Sequence, residues 1–327
     1  MNLEKPFDLY ESSREEWGLW QALLADGRPL LVLTGLALVL VGGFAIFLGV
    51  SEQFLPHDVQ FLGMDAAQLC RYHECHIVHF MIHDRIAFGG ALVALGVLYL
   101  WLVEFPLRAG QSWAWWAILF SGTSGFLSFL SWLRYGYLDT WHGTATLFLL
   151  PCFVIGLWRS YYSIHPANLW MTFQCAGTLR FDARLVALLL TTFGLTCAGI
   201  VIMVGGATRV FVPQDLHFMQ LSVADLNRIS PRLVPLIAHD RASFGGAILS
   251  TGIAMFFCVW FGKMSRSLWQ ALLLAGSAGF GCAIGTHFEV GYVDWSHLAP
   301  ALLGVSVFYF GLLCYRFGSA VPPSPRQ

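Results

Sequence analysis

The sequence predicts an all-α polytopic membrane protein, with eight transmembrane helices arranged as two tandem four-helix bundle repeats. Three observations carry this. The chain is 57% hydrophobic and 11% charged over 327 residues, whereas a soluble domain carries roughly 25% charge. Its apolar stretches approach the ~20 residues a helix needs to cross a bilayer. Polar signatures recur at an offset of 155 to 157 residues.

The spans fall at about 29–50, 80–103, 113–132, 141–158, 184–204, 240–261, 268–286 and 296–315. Such continuous runs are read as helices, because a span in lipid must satisfy its own backbone hydrogen bonds. Barrel strands would alternate instead. Residues 1–28 lack the basic start and apolar core of a signal peptide. In "SREEWGLWQALLADG", Ser13 and Glu16 form a capping box and Gly27 a stop. Trp17, Trp20 and Leu24 share one face, so 1–28 reads as a cytoplasmic interfacial segment, or else as a solvated leader.

The recurring signatures organise the rest. "VHFMIHDRIAFGG" (78–90) is matched by "PLIAHDRASFGG" (235–246), "FLPHDVQF" (54–61) by "FVPQDLHF" (211–218), and "GYLDTWH" (136–142) by "GYVDWSH" (291–297). The repeats are therefore 29–158 and 184–316, joined by a cytoplasmic linker at 159–183 and followed by a tail at 317–327. An even number of spans per unit makes them parallel.

Eight spans put both termini on one side. That side holds Lys5, Arg14, Arg28, Arg108, Arg159, Arg180, Arg184, Lys263, Arg266, Arg316 and Arg326. The other holds Arg71, Arg85, Arg134, Arg209, Arg228, Arg232 and Arg241. The positive-inside rule places both termini in the cytoplasm of a plasma (inner) membrane. A net charge of −1 gives no footprint for nucleic acid.

Of eleven histidines, only His83, His142, His239 and His297 coincide between the halves. All four sit at the outer ends of even-numbered spans. Paired imidazoles on neighbouring helices suit a haem iron. Asp84, Asp240, Asp139 and Asp294 would orient the ligands. Arg85 and Arg241 would meet propionates. Gly89-Gly90 and Gly245-Gly246 leave room for a ring or for a close helix. A cofactor-free polar clamp at the helix ends is the alternative, and so is a metal ion on the shared face of His76, His79 and His83. Cys70 and Cys75 lie in an outer loop, where an oxidising exterior would let them pair; two free thiols or a metal pair are the other readings.

Two parallel four-helix repeats, a histidine on each even-numbered span and a cysteine pair in the first outer loop resemble haem A synthase. The resemblance implies a b-type haem in one half and a substrate haem in the other, with chemistry at the outer side. His83 with His142 would serve one half, and His239 with His297 the other. The chain has Phe80 where that family has a glutamate. The expected function is a haem b redox protein that transfers electrons or oxidises a lipophilic substrate, with membrane lipid and other membrane redox subunits as partners. The alternatives are a cofactor-free structural or partner-binding subunit and a small-molecule transporter.

Overall fold

The computed structural model describes residues 24–130, 140–164 and 182–318, together with Gly18 and Leu133. Among these residues the fold is all-helical, with no strand. Seven helices are long and apolar enough to cross a membrane, and the protein is an integral membrane protein. The interfacial helix expected near the N-terminus lies outside the described residues, as does most of the linker.

Helix α1 spans Arg28–Val50. Two short helices follow, α2 (Pro56–Leu62) and α3 (Ala66–Leu69). A tight turn at His73–Cys75 leads into α4, His76–Leu102. Cys70 and Cys75 are disulfide-bonded across that turn. A π turn at Val103–Leu107 leads to α5, Ser112–Phe129. Helix α6 is Thr140–Ser163. The order then recurs as α7 (Ala183–Thr208), short α8 (Pro213–Met219) and α9 (Val223–Ile229), α10 (Leu233–Phe261), α11 (Arg266–Glu289) and α12 (Trp295–Gly318). Helix α5 has 18 residues, but its serines, glycines and tryptophans leave it outside the seven most apolar helices.

The repeated Pro-x-Asp stretches explain α2 and α8. Pro56 and Pro213 open these helices, where a missing N–H costs nothing. Asp58 then accepts from the Leu55 N–H at 3.1 Å, and Asp215 from the Val212 N–H at 2.8 Å. Both carboxylates are buried, and the oxygen that accepts the backbone N–H also meets a cation beneath the short helix.

Two long helices start earlier than their hydropathy suggests. Spans expected from 80 and 240 begin at His76 and Leu233. The His-Asp-Arg clusters therefore lie about two turns inside α4 and α10 rather than at their mouths. Pro235 is tolerated because it falls in the first turn of α10. Helices α6 and α12 also run a few residues beyond the expected ends.

Helices α4 and α10 pack against each other at the centre. Helix α4 is flanked by α1 and α11, and α10 by α7 and α5. Glycine seams set the first contacts. A Cβ on Gly42 would stand 2.6 Å from the Gly89 carbonyl oxygen, and one on Gly89 would stand 2.6 Å from that of Gly42. Gly199 and Gly245 make the equivalent approach between α7 and α10. The second glycine of each pair faces another neighbour, Gly90 toward Ala278 and Cys282 on α11, and Gly246 toward Ser128 on α5. Both Gly-Gly pairs are thus filled by close helices, which leaves no room for a ring beside them. The outer helices are tied in parallel fashion: Trp115 Nε1 donates to the Leu157 carbonyl and Trp269 Nε1 to the Leu312 carbonyl, each at 2.9 Å.

The core has two main parts. One fills the helical middle around Leu98, Tyr99, Phe257 and Phe308. The other lies at the end carrying α2, α3, α8 and α9, the loop end, around Leu69, Ile77, Phe80, Leu226 and Tyr292.

Candidate metal centre

Under the loop-end core, each arginine of the His-Asp-Arg clusters bridges two aspartates. Arg85 meets Asp58 at 2.7 Å and Asp240 at 3.1 Å. Arg241 meets Asp215 and, at 3.2 Å, Asp84. One partner of each arginine comes from its own short helix and the other from the opposite central helix. Phe54 and Phe80 cover the guanidinium faces at 5.2 Å and 5.0 Å. Buried charges are tolerated only when paired in this way.

Both arginines are therefore held by carboxylates of the chain itself and are not presented to propionates. Asp240 serves Arg85. Asp294 acts on backbone: it accepts from the His297 N–H at 3.0 Å and from Ser296, which fixes the start of α12 and so the place of His297. The hydroxyl of Ser296, followed by that backbone N–H, holds the Asp294 carboxyl below the usual range. Asp139 and the side chain of His142 lie outside the described residues. His239 is buried on α10.

His83 has neighbours the sequence did not suggest. It lies with His287 and His297, and the three offer ligand nitrogens within 4.8 Å of one another. Among the described residues no other such cluster of three metal-ligating side chains occurs. His83 and His287 are 3% and 4% exposed, whereas His297 is partly open. The turn between α11 and α12 brings them together. Gly291 takes a φ of 73°, a left-handed conformation suited to glycine. The chain then folds back so that the Tyr292 carbonyl lies 2.7 Å from His287 Nδ1.

The hydrogen bonds fix the tautomers. A carbonyl oxygen only accepts, so His287 Nδ1 carries a hydrogen. Asp84, paired with Arg241, lies 3.0 Å from His83 Nδ1 and likewise accepts. The two Nε2 atoms face each other at 3.2 Å; with both rings neutral they present two lone pairs, and otherwise they share a proton. Two lone pairs at that distance repel unless a cation or a proton sits between them. Nitrogens bound tetrahedrally at 2.0–2.1 Å lie about 3.3 Å apart. The bonds from Asp84 and Tyr292 are of the kind that orient imidazole ligands. His297 stands with its ring centroid 5.3 Å from that of His287. Tyr292 and Phe218 stack at 4.5 Å beside the cluster.

The chain matches no protein-family model, and no curated protein or solved structure is significantly similar to it. The site is read from its own geometry.

That geometry does not fit a haem held between His83 and His287. Axial nitrogens lie on opposite faces of a macrocycle, so His83 and His287, 3.2 Å apart, do not bracket one between them; the expected partner His142 has its side chain outside the described residues. The alternative metal face does not form either. His76 packs against Phe218 and His79 lies near Glu52, while His83 alone turns to the cluster. His287 has no histidine counterpart in the first half, so internal alignment passes over it. The available signal was its position ten residues before His297, across a glycine turn, which lets two helix ends share one site.

Proposed function

We propose that this protein is an integral membrane metalloprotein with a redox-active tris-histidine centre formed by His83, His287 and His297. The observation that carries the reading is the convergence of three imidazoles whose ligand nitrogens lie within 4.8 Å of one another, with the Nε2 atoms of His83 and His287 3.2 Å apart and both Nδ1 atoms against acceptors. Three imidazoles suit a first-row ion such as copper, iron or zinc. A three-ligand set leaves a position for an exogenous ligand, as catalytic sites do. The partly open His297 lies on the side where such a ligand would enter.

The architecture around the centre is proposed as eight spans in two parallel repeats, with α5 as the least apolar span. The reciprocal arginine bridges, glycine seams and tryptophan ties support the repeats. The charge bias of the loops supports cytoplasmic termini and a centre near the outer face. A small lipophilic reductant or a membrane redox subunit would then meet the ion from outside.

The test is metal analysis of the purified full chain, with absorption and electron paramagnetic resonance spectra in both oxidation states. One redox-active ion per chain is expected, lost in His83→Ala and His287→Ala but retained in His79→Ala. A preparation holding only zinc would end the redox part of the reading. A haem spectrum, or metal that survives both cluster substitutions, would end the tris-histidine reading.

A further inference from the structure

On the other side of α4 from the histidine cluster, helices α1, α4, α5, α6 and α10 line a partly open cavity of about 350 Å³. Its walls are almost wholly apolar, and it is long and narrow. Along α1 it runs from Thr34 to Leu48, about 21 Å at 1.5 Å per residue. It begins under Leu55 and His57 at the loop end and reaches Tyr99. It is partly open at its side, so a flexible apolar tail can enter it and bury its length against the helices.

Thr34, His57, Tyr99, Ser128, Ser243 and Ser250 bring polar atoms to this wall, and among its serines Ser243 stands apart. Ser243 on α10 lines the cavity, is 6% exposed, and its hydroxyl has no hydrogen-bond partner among the described residues. A helical serine normally returns its hydroxyl to the preceding turn. Ser250, two turns further along the same wall, does so, to the Gly246 carbonyl at 2.8 Å. Ser243 does not, and it sits toward the loop-end mouth, above the purely hydrocarbon stretch.

We infer that this cavity binds a single-chain amphiphile, a fatty acyl or prenyl chain whose uncharged oxygen-bearing head meets Ser243. The tail lies between α1 and α4 and points toward Tyr99. The length of the cavity selects a chain over a compact ring. The orphan hydroxyl sets its direction, head toward the loop end. The inference is independent of the metal centre, because no cluster ligand lines the cavity.

The experiment uses the purified full chain in detergent. Native mass spectrometry is expected to find one retained lipid per chain, and solvent extraction to show by mass whether its tail is acyl or prenyl. The binding probe is the methyl ester of a doxyl-labelled stearic acid, read by electron paramagnetic resonance. Ala145→Phe, placed in the α6 wall, is expected to abolish saturable probe binding while helicity, elution and metal content stay at wild-type values. Ala45→Phe in the α1 wall is the second variant, should the first fail to fold. Ser243→Ala is expected to weaken probe binding about three- to tenfold, the loss of one hydrogen bond. Equal probe binding in wild type and in a folded wall variant would mean annular lipid and would overturn the inference. So would a wild type that binds no probe and retains no lipid, or one that retains a planar ring compound instead.

Discussion

Asp84 holds His83 by one carboxylate oxygen and Arg241 by the other. This double duty makes its amide variant informative. In Asp84→Asn the amide can donate to His83 Nδ1, which moves the ring hydrogen to Nε2 and turns a metal ligand into a donor. Metal affinity is expected to fall about 10- to 100-fold, measured by competition with a chromogenic chelator. Unchanged affinity would mean that the carboxylate does not set the tautomer. Tyr292 separates backbone from side chain. Its carbonyl holds His287, whereas its hydroxyl donates to Asp215 at 2.9 Å. Burial, followed by the Asp215 charge, pushes the phenol up, so it remains a donor. Tyr292→Phe is thus expected to keep its metal yet lose roughly 1–3 kcal/mol of stability, because a buried carboxylate loses a partner. Thermal unfolding beside metal analysis checks both halves of that statement. Because protons compete for all three imidazoles, metal occupancy should also fall on acidification.

At the scale of helices, the close approaches explain why the glycines sit where they do. Gly89→Leu forces a side chain into the α1 backbone, and overpacking of this kind costs about 1–3 kcal/mol or more. A lowered unfolding temperature is expected, while Gly43→Leu, whose Cβ meets nothing within 4 Å, should behave like wild type. Equal stability of the two would show that the seam is not tight. The helices themselves were legible in the sequence, since hydropathy alone marks the long apolar runs. Their starts at the loop end were not. His76 to His79 and Leu233 to His239 read as loop because histidines and a proline interrupt them, yet α2, α3, α8 and α9 cover those turns and let the helices begin earlier in the sequence. The role of Asp58 and Asp215 was equally hidden. Their Pro-x-Asp motif repeats visibly, but nothing local reveals that an arginine about 27 residues onward completes it.

For the whole molecule, the internal offset suggests two halves, and long helices from before and after the linker pack on one another. The second long helix of each half packs on the third of the other, α4 on α11 and α5 on α10. Arg85 and Arg241 reach across to Asp240 and Asp84. The histidine cluster is likewise shared, with His83 from one half and His287 and His297 from the other. The contact of His83 with His287 and His297 is one that internal alignment does not reveal, because a repeat reports correspondence and not contact. A protease site inserted between residues 165 and 181 is expected to yield two fragments that stay together in mild detergent and keep their metal. Separation of the fragments on size exclusion would refute the interlock.

The interlock also imposes a schedule on synthesis. Helix α4 leaves the ribosome some 155 residues before α10, an interval of about 8 to 30 s at 5–20 residues per second. Throughout it Asp84 waits for Arg241, Arg85 has only Asp58, and His83 waits for both of its companions. A nascent first half thus stands in the membrane with polar groups that nothing yet neutralises. The proposed three-histidine site is complete only once the second half has arrived, since His287 and His297 belong to it. Chains that stop before residue 241 are expected to be cleared by membrane proteolysis, with lifetimes in pulse–chase labelling far shorter than that of the finished protein.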